Sequence, residues 1–473
     1  MILPKKIFLI LLAPFLNYAQ LTKFANEWKT DKALKNGSIG FCVMDAKNSQ
    51  VLVEYNSHQL LIPASTLKVV TTSAALGILG ANFQYSTKIY FTGDFNKQNG
   101  VLNGNIIIEG SGDPTLQSEN FAKESITDKW AKLLKEKGLK EIKGKIIGDA
   151  SAFERSISGN WIWADISNYF GAAPCGLSYL DNKFKMRYTT KETGSKAKLT
   201  GTNPDYLSLP YLIQSDVTAK GTEDEAYVYG DPFSFQKEVK GTLPPNKSNY
   251  EIEAALPDPA LLCAEALYSS LLTAGIVCNK KSIESNYKKQ DSISRKQLVY
   301  THLSPALEKI IFYTNTKSNN HYCESILLTL GKGKIQSGID AVKKYWEARG
   351  LNMDEIYMTD GSGLSRANTI STYFQTSLLS KVFRDSSNYQ VFKASLPLAG
   401  KSGSMSNIGK ESFIENNMQA KTGYINRARG YCGYLKTKSG KDLCFSVLFN
   451  NYTCSAHEAK LKIEKFLVEL GEL

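Results

Sequence analysis

The run Ser65-Thr66-Leu67-Lys68 sets a hydroxyl and an amine three positions apart. On a helix, positions i and i+3 share one face, so Lys68 presents its amine to the Ser65 hydroxyl. A serine hydroxyl is a poor nucleophile until a base removes its proton. Lysine can be that base when burial or nearby cations lower its pKa, and Lys421, in Lys421-Thr422-Gly423, is such a cation. At the start of a helix, Ser65 also gains oriented backbone amides that can stabilise a developing oxyanion. The chemistry these residue types support is covalent catalysis by an activated serine.

A third short pattern, Ser318-Asn319-Asn320, lies between the other two, giving the order SxxK, SxN, KTG. This is the form of the active-site serine penicillin-recognising enzymes. Each motif alone is weak. SxxK recurs at Ser195, Ser234 and Ser285, SxN at Ser118 and Ser158, and K[ST]G at Lys401 and Lys438. Context sorts the copies. Ser195 and Ser285 lie in lysine-rich loop-like stretches, Ser234 follows Pro232 with no long helix behind it, Lys401 sits in a glycine-serine loop and Lys438 in a hairpin turn. Only Ser65 opens a long apolar helix, and only Lys421 stands where an edge strand enters a sheet. Taken singly, Ser65 reads as an N-cap and Lys421 as a solvated lysine; the ordered triple points to catalysis.

The elements that position these residues follow from hydrophobic periodicity. Residues 38–55 predict a β-hairpin. Residues 65–79 predict a helix with Leu67, Val70, Ala74, Ala75 and Ile78 along one side. Strands are expected over 85–116, a helix over 125–138 and a strand over 139–150. Short strands and turns fill 180–255, a helix spans 258–275, and 279–297 reads as a charged linker. Helices are expected over 304–315, after Ser318 and over 339–350. Two strands flank Lys438-Ser439-Gly440, and an amphipathic helix closes the chain from about Ser455. A strand-helix start and a helix-strand-strand-helix end assemble most simply into one α/β (α+β) domain from residues 20–82 and 295–473. Residues 83–294 are then a mostly β insertion, with a nested subdomain around 180–255. The aromatic cluster Trp161, Trp163 and Tyr169 reads as core.

The 473 residues carry 42% apolar and 22% charged side chains, which excludes disordered, collagenous and coiled-coil chains. The four histidines lie far apart with no CxxC or HExxH spacing, so neither metal nor cofactor is expected. Residues 1–19 read as a secretory signal peptide: Lys5 and Lys6 precede an apolar run of about ten residues, too short to span a bilayer. A buried N-terminal helix does not explain why both charges come first. No cysteine follows the run, so no lipid anchor is expected. Without the two lysines the net charge falls from +12 to +10, which favours loose association with anionic wall polymer or a membrane surface. Nucleic acid is not indicated, because the lysines are scattered and form no basic helix or aromatic-basic motif. Export permits disulfides, but most of the eight cysteines sit in apolar contexts and read equally as buried thiols; no bridge is assigned.

Beyond the three motifs, EGSGDPTL (109–116), GDASAFE (148–154), WIWADISNYFGA (161–172), TNTKSNNHYCE (314–324), DGSGLSR (360–366) and LPLAGKSGSM (396–405) carry a wider likeness. The chain resembles the D-alanyl-D-alanine carboxypeptidase/endopeptidases of the class C low-molecular-mass penicillin-binding proteins over nearly its whole mature length. The 250 positions from Lys68 to Ser318 agree with the large insertion of that family. Its serine β-lactamase/DD-peptidase-like domain is built from both chain ends.

The resemblance implies Ser65 as nucleophile, Lys68 as its base and Ser318 as proton relay to the leaving amine. It implies Asn320 on the substrate amide, Lys421 and Thr422 on its terminal carboxylate, and the backbone amides of Ser65 and Tyr424 as oxyanion hole. The partners implied are peptidoglycan peptides and β-lactams, in a periplasmic setting. Asp165 and Arg366 are candidates for reading a charged stem-peptide side chain, and each also fits a structural ion pair. Asn319 stands where aspartate is more usual in the family, and Tyr424 where a small hydroxyl residue is common, which narrows the expected groove. A β-lactamase or esterase on the same scaffold is the competing enzyme reading, although no fast deacylation base is identifiable. A non-catalytic wall-binding protein is the third reading.

Overall fold

The computed structural model describes residues 21–204, 212–279, 282–289, 296–385 and 387–473. The expected signal peptide lies outside them. The chain divides into two compact units. One comprises Met1–Asn82, Leu307–Asn319 and Ile339–Leu473; the other comprises Phe83–Ala306 and Asn320–Gly338.

The first unit is organised by a five-stranded antiparallel sheet. Its strands run, in spatial order, Met418–Ile425, Ala428–Lys436, Asp442–Asn450, Ser38–Asp45 and Val51–Tyr55. The three central strands are buried along almost their whole length, as expected of a sheet covered on both faces. Alternation along each strand separates two environments. The paired row Phe41, Val447 and Tyr431 joins an aromatic core in which Trp28 meets Phe41, Phe449 and Phe466. Trp28 and Phe466 come from the helices Thr22–Thr30 and Ala456–Glu472, whereas Phe41 and Phe449 come from the sheet itself. The neighbouring row is Lys421, Cys432, Ser446 and Cys42, and it faces the opposite way. There the helix Thr372–Arg384 is tied to the sheet by the Ser446 hydroxyl donating to Gln375 and the Thr376 hydroxyl donating to the Cys42 carbonyl. Lys421 therefore points from an edge strand toward the helical layer.

The helix after Ser65 starts differently from the expected one. Ala64–Leu67 forms a 3-10 turn, and the α-helix runs Lys68–Leu79. Of the five residues placed on its apolar side, Ile78 is 43% exposed, whereas Val69, Thr71, Thr72 and Ser73 on its other sides are buried. The helix crosses the interior and meets water only at its last turn, so a one-sided stripe is the wrong description.

The second unit has a five-stranded mixed sheet in the order Ile283–Asn286, Ile146–Asp149, Ile106–Glu109, Ser86–Phe91 and Gln297–Leu303. The helices Ile126–Glu136 and Pro259–Thr273 share its core. Two helix starts match their sequence signals: the side chains of Ser125 and Asp258 accept backbone N–H bonds as N-caps. Two further three-stranded sheets are built from six strands that begin at Lys183 and end at Ala255. The expected strand over 139–150 is two short ones, Glu141–Ile142 and Ile146–Asp149. The segment read as a charged linker contains the strand Ile283–Asn286, which pairs in parallel with Ile146–Asp149. Its Ile-Glu-Ser-Asn sequence has no alternation to announce it, because main-chain pairing to a formed sheet makes the strand. Trp161 is core as expected, but Trp163 is 59% and Tyr169 52% exposed.

All eight cysteines are free, and six are buried. Cys42 and Cys432 share one row but flank the strand that carries Ser446. Two strand spacings amount to roughly 9–10 Å, beyond disulfide reach. Burial pushes the Cys432 thiol up to about 12, so it packs as a small hydrophobe.

Candidate active site

The first unit gathers Ser65, Lys68, Ser318, Lys421 and Thr422. The Lys68 ammonium group is fully buried and donates to the Ser65 hydroxyl at 2.9 Å and to the Ser362 carbonyl at 2.8 Å. Ser65 itself stays partly exposed, so a reacting carbonyl can reach its oxygen.

The turn bearing Ser65 is held from several sides. Ala64 adopts a positive φ of 46°, a strained conformation that surrounding contacts must enforce. Thr66 bonds back to the Pro63 carbonyl through both its amide and its hydroxyl. Gln375 donates from its side-chain amide to the Thr66 hydroxyl at 2.9 Å while accepting from Ser446 at 2.7 Å. The caps of the 3-10 turn and of the α-helix behind it are Pro63 and Leu67, so Ser65 is not the helix cap; its oxygen accepts from Lys68.

Lys421, also fully buried, donates to the Ser318 hydroxyl at 2.9 Å and to the Thr422 carbonyl at 2.8 Å. Ser318 has a φ of +58°, the second non-glycine residue of the site in the left-handed region. A Cβ on Gly423 would lie 2.5 Å from the Pro63 carbonyl oxygen and 3.0 Å from the Thr66 amide. Glycine at this position therefore lets the edge strand lie directly against the Ser65 turn. Tyr424 follows, 53% exposed, with the Arg429 guanidinium 4.9 Å above its ring.

Several contributors were not singled out from the sequence. DGSGLSR supplies the second acceptor for Lys68, the Ser362 carbonyl. The Asp360 carboxylate shapes that loop by accepting from the amides of Gly363 and Ser365 and from the Asn368 side chain, at 2.8, 2.7 and 2.8 Å. A Cβ on Gly363, whose φ is +83°, would fall 1.9 Å from the Ala64 carbonyl oxygen. The loop of LPLAGKSGSM brings the Ser404 hydroxyl to 2.6 Å from that of Thr422. Its Lys401 pairs with Glu415 at 3.0 Å. The signal was the glycine-rich character of both segments, without an indication of which atoms they deliver.

Asn320 opens the helix Asn320–Leu330 in the second unit, where its side-chain amide donates to the Phe170 carbonyl at 2.8 Å. Asp165 is also in the second unit, in a turn where its amide donates to the Ile162 carbonyl. Arg366 is half-buried in the first unit, just after the Asp360 loop.

This arrangement contains what serine acyl transfer requires: a reachable hydroxyl, a buried amine in contact with it, and a second ammonium–hydroxyl pair on an adjoining strand. A model of the D-Ala-D-Ala carboxypeptidase 3 (S13) family matches residues 21–471. The chain belongs to this family. It is a serine-type D-Ala-D-Ala carboxypeptidase, a hydrolase.

Among its S13 relatives, the D-alanyl-D-alanine carboxypeptidase DacB of Haemophilus influenzae is 26% identical over 449 residues, 92% of this chain and 89% of that protein. The D-alanyl-D-alanine carboxypeptidase of Actinomadura sp. is 25% identical over 449 residues, 89% of this chain and 79% of that protein. The crystal structure of Haemophilus influenzae penicillin binding protein 4 matches with a TM-score of 0.78 at 24% identity, covering 96% of this chain and 98% of that one. The same protein complexed with a β-lactam matches with a TM-score of 0.74 at 22% identity, with the same coverage. These likenesses establish the S13 fold, a mixed α/β architecture with several sheets.

Proposed function

We propose that Ser65 is the nucleophile of this carboxypeptidase and Lys68 its general base. The observation that carries the assignment is the 2.9 Å contact between a fully buried Lys68 amine and a partly exposed Ser65 hydroxyl. Lys68 takes the hydroxyl proton as Oγ bonds to the penultimate D-Ala carbonyl carbon. The backbone amides of Ser65 and Tyr424 receive the oxyanion. The intermediate collapses with cleavage of the C–N bond, and Ser318 relays a proton to the departing D-Ala amine. Water then hydrolyses the ester. Lys421 and Thr422 hold the terminal carboxylate, and Asn320 holds the substrate amide. A β-lactam ring opened by the same attack leaves an ester on Ser65.

The same site acts as a DD-endopeptidase on cross-linked stem peptides, since a cross-link presents the same D-Ala carbonyl with a longer leaving amine. Asp165 and Arg366 read the charged side chain of the stem peptide. The chain works after export, in the periplasm. There its cationic surplus favours loose contact with anionic wall polymer or membrane surface, and no helix among the described residues is long and apolar enough to cross a membrane.

A time course with labelled penicillin tests the reading. A long-lived covalent adduct, with D-Ala released from a D-Ala-D-Ala tripeptide, is expected; rapid adduct turnover would make the protein a β-lactamase, and no adduct a binding module. Mass analysis of a cell-wall digest reports the endopeptidase activity through loss of cross-linked dimers. In Asp165→Ala, an unchanged ratio of cleavage between charged and uncharged stem peptides would remove Asp165 from the specificity site.

A further inference from the structure

The second unit carries a cavity of about 420 Å³ that none of Ser65, Lys68, Ser318 and Lys421 lines, within the roughly 300–1,000 Å³ typical of small-ligand pockets. It lies on the three-stranded sheet of Leu212–Ala219, Gln236–Leu243 and Tyr227–Tyr229. Gln214, Glu238 and Tyr229 are register partners across the three strands, so they form one row on one face. Gln236, two positions before Glu238, shares that face. The side chains of Gln214 and Gln236 are exposed and have no hydrogen-bond partner among the described residues. Trp163 closes the cavity from another segment with its ring 59% exposed, an unusual state for tryptophan on a free surface.

The walls are held in place by a buried network. Lys237, 3% exposed, donates to the Ser167 hydroxyl at 3.0 Å and to the Asp231 carbonyl at 2.7 Å, and Ser167 donates to the Gly230 carbonyl at 2.8 Å. Burying an ammonium group is costly, and here it ties the 230–231 loop to the segment that carries Trp163. The exposed aromatic ring and the amides are thus pre-positioned, which reduces the ordering cost of binding.

The polarity selects the ligand. Glu238 is matched by Lys240 at 2.8 Å, and the Asp231 carboxylate accepts from the Phe233 amide while its charge is balanced by the field of the buried Lys237 ammonium group. Neither an anion nor a strong cation finds an unmatched countercharge from these groups. Two free primary amides, each both donor and acceptor, complement hydroxyls, which are also both, and an exposed indole face complements the C–H face of a sugar ring. The geometry points to a binding subsite for a neutral, hydroxyl-rich glycan on the inserted unit, separate from the peptide chemistry.

Calorimetric titration of the whole chain with the β-1,4-linked tetramer of N-acetylglucosamine tests this. Binding heat is expected, with affinity falling about tenfold in Trp163→Ala and severalfold in Gln236→Ala. Release of D-Ala from a short tripeptide should stay unchanged in both, so failure of the glycan site is distinguishable from failure of the Ser65 assignment. Both side chains are exposed, and matching thermal unfolding curves verify that the variants fold. Absence of heat with the tetramer, equal affinity in wild type and both variants, or binding of only inorganic phosphate or tetralysine would overturn the inference.

Discussion

Two SxxK runs in this chain have opposite fates. In Ser65–Lys68 the two side chains meet at 2.9 Å. In Ser234–Lys237 the same spacing spans the entry to a strand: the Ser234 hydroxyl accepts from the Gln236 amide at 3.1 Å, and Lys237 turns to Ser167. The Lys237–Ser167 contact of 3.0 Å nevertheless looks much like the Lys68–Ser65 contact, with a buried amine on a serine hydroxyl in each. The differences lie in access and proton bookkeeping. Ser167 is fully buried and its hydrogen is directed to the Gly230 carbonyl, whereas Ser65 is partly exposed. A buried lysine beside a serine therefore does not make a nucleophile; the hydroxyl must also be reachable and free to give its proton to the amine.

The largest test of this contrast removes each hydroxyl. Ser65→Ala is expected to abolish the penicillin adduct and D-Ala release, while Ser167→Ala leaves the labelling rate within about twofold of wild type. Adduct in the Ser65→Ala protein would refute the site. Next, Lys68→Ala should slow acylation about 1,000-fold, the range for loss of a general base, with stopped-flow labelling as the readout. Lys237→Ala should leave the acylation rate of the folded fraction intact.

Gly363→Ala asks whether the Ser65 turn depends on its buttress. The added Cβ meets the Ala64 carbonyl oxygen, so a loss on the order of 3 kcal/mol in urea unfolding is expected, together with slower acylation. The last test concerns pH. Burial holds the Lys237 amine down at about 8 from its ordinary 10.5. Below pH 8 the group is charged in both folded and unfolded chains, and the folded state bears the full penalty. As pH rises from about 8 to 10.5 the penalty is relieved, so this residue adds stability, by about 3 kcal/mol at most. Lys237→Met should lack that gain, measured as the difference between the two proteins' urea midpoints at pH 7.5 and pH 10.

Legibility followed the range of the interactions. The terminal helix was readable because its signals are local: the Ser455–Glu458 capping box starts it, and its apolar spacing continues to Leu470. The hairpin of residues 38–55 was readable for the same reason. The strand Ile283–Asn286 was not, because only a distant partner strand makes it one. Among candidate site residues, Ser65 and Lys68 needed only helical spacing. The Ser362 carbonyl, 294 positions beyond Lys68, left no trace except a glycine-rich loop. Trp163 was misread as core because composition does not distinguish an aromatic that fills an interior from one that lines a cavity.

By itself the amino-acid sequence determined that a hydroxyl and an amine stand one turn apart at the mouth of an apolar helix, and that a lysine-threonine-glycine run forms a strand. Spacing along a regular backbone is set by dihedral preferences a few residues long. The tertiary structure decided which SxxK copy joins its own serine and lysine, and which lysines lose their water. It alone set Lys421 on Ser318 across 103 positions. Burial and long-range hydrogen bonds exist only after the chain ends close into one sheet, and no local pattern encodes the closure.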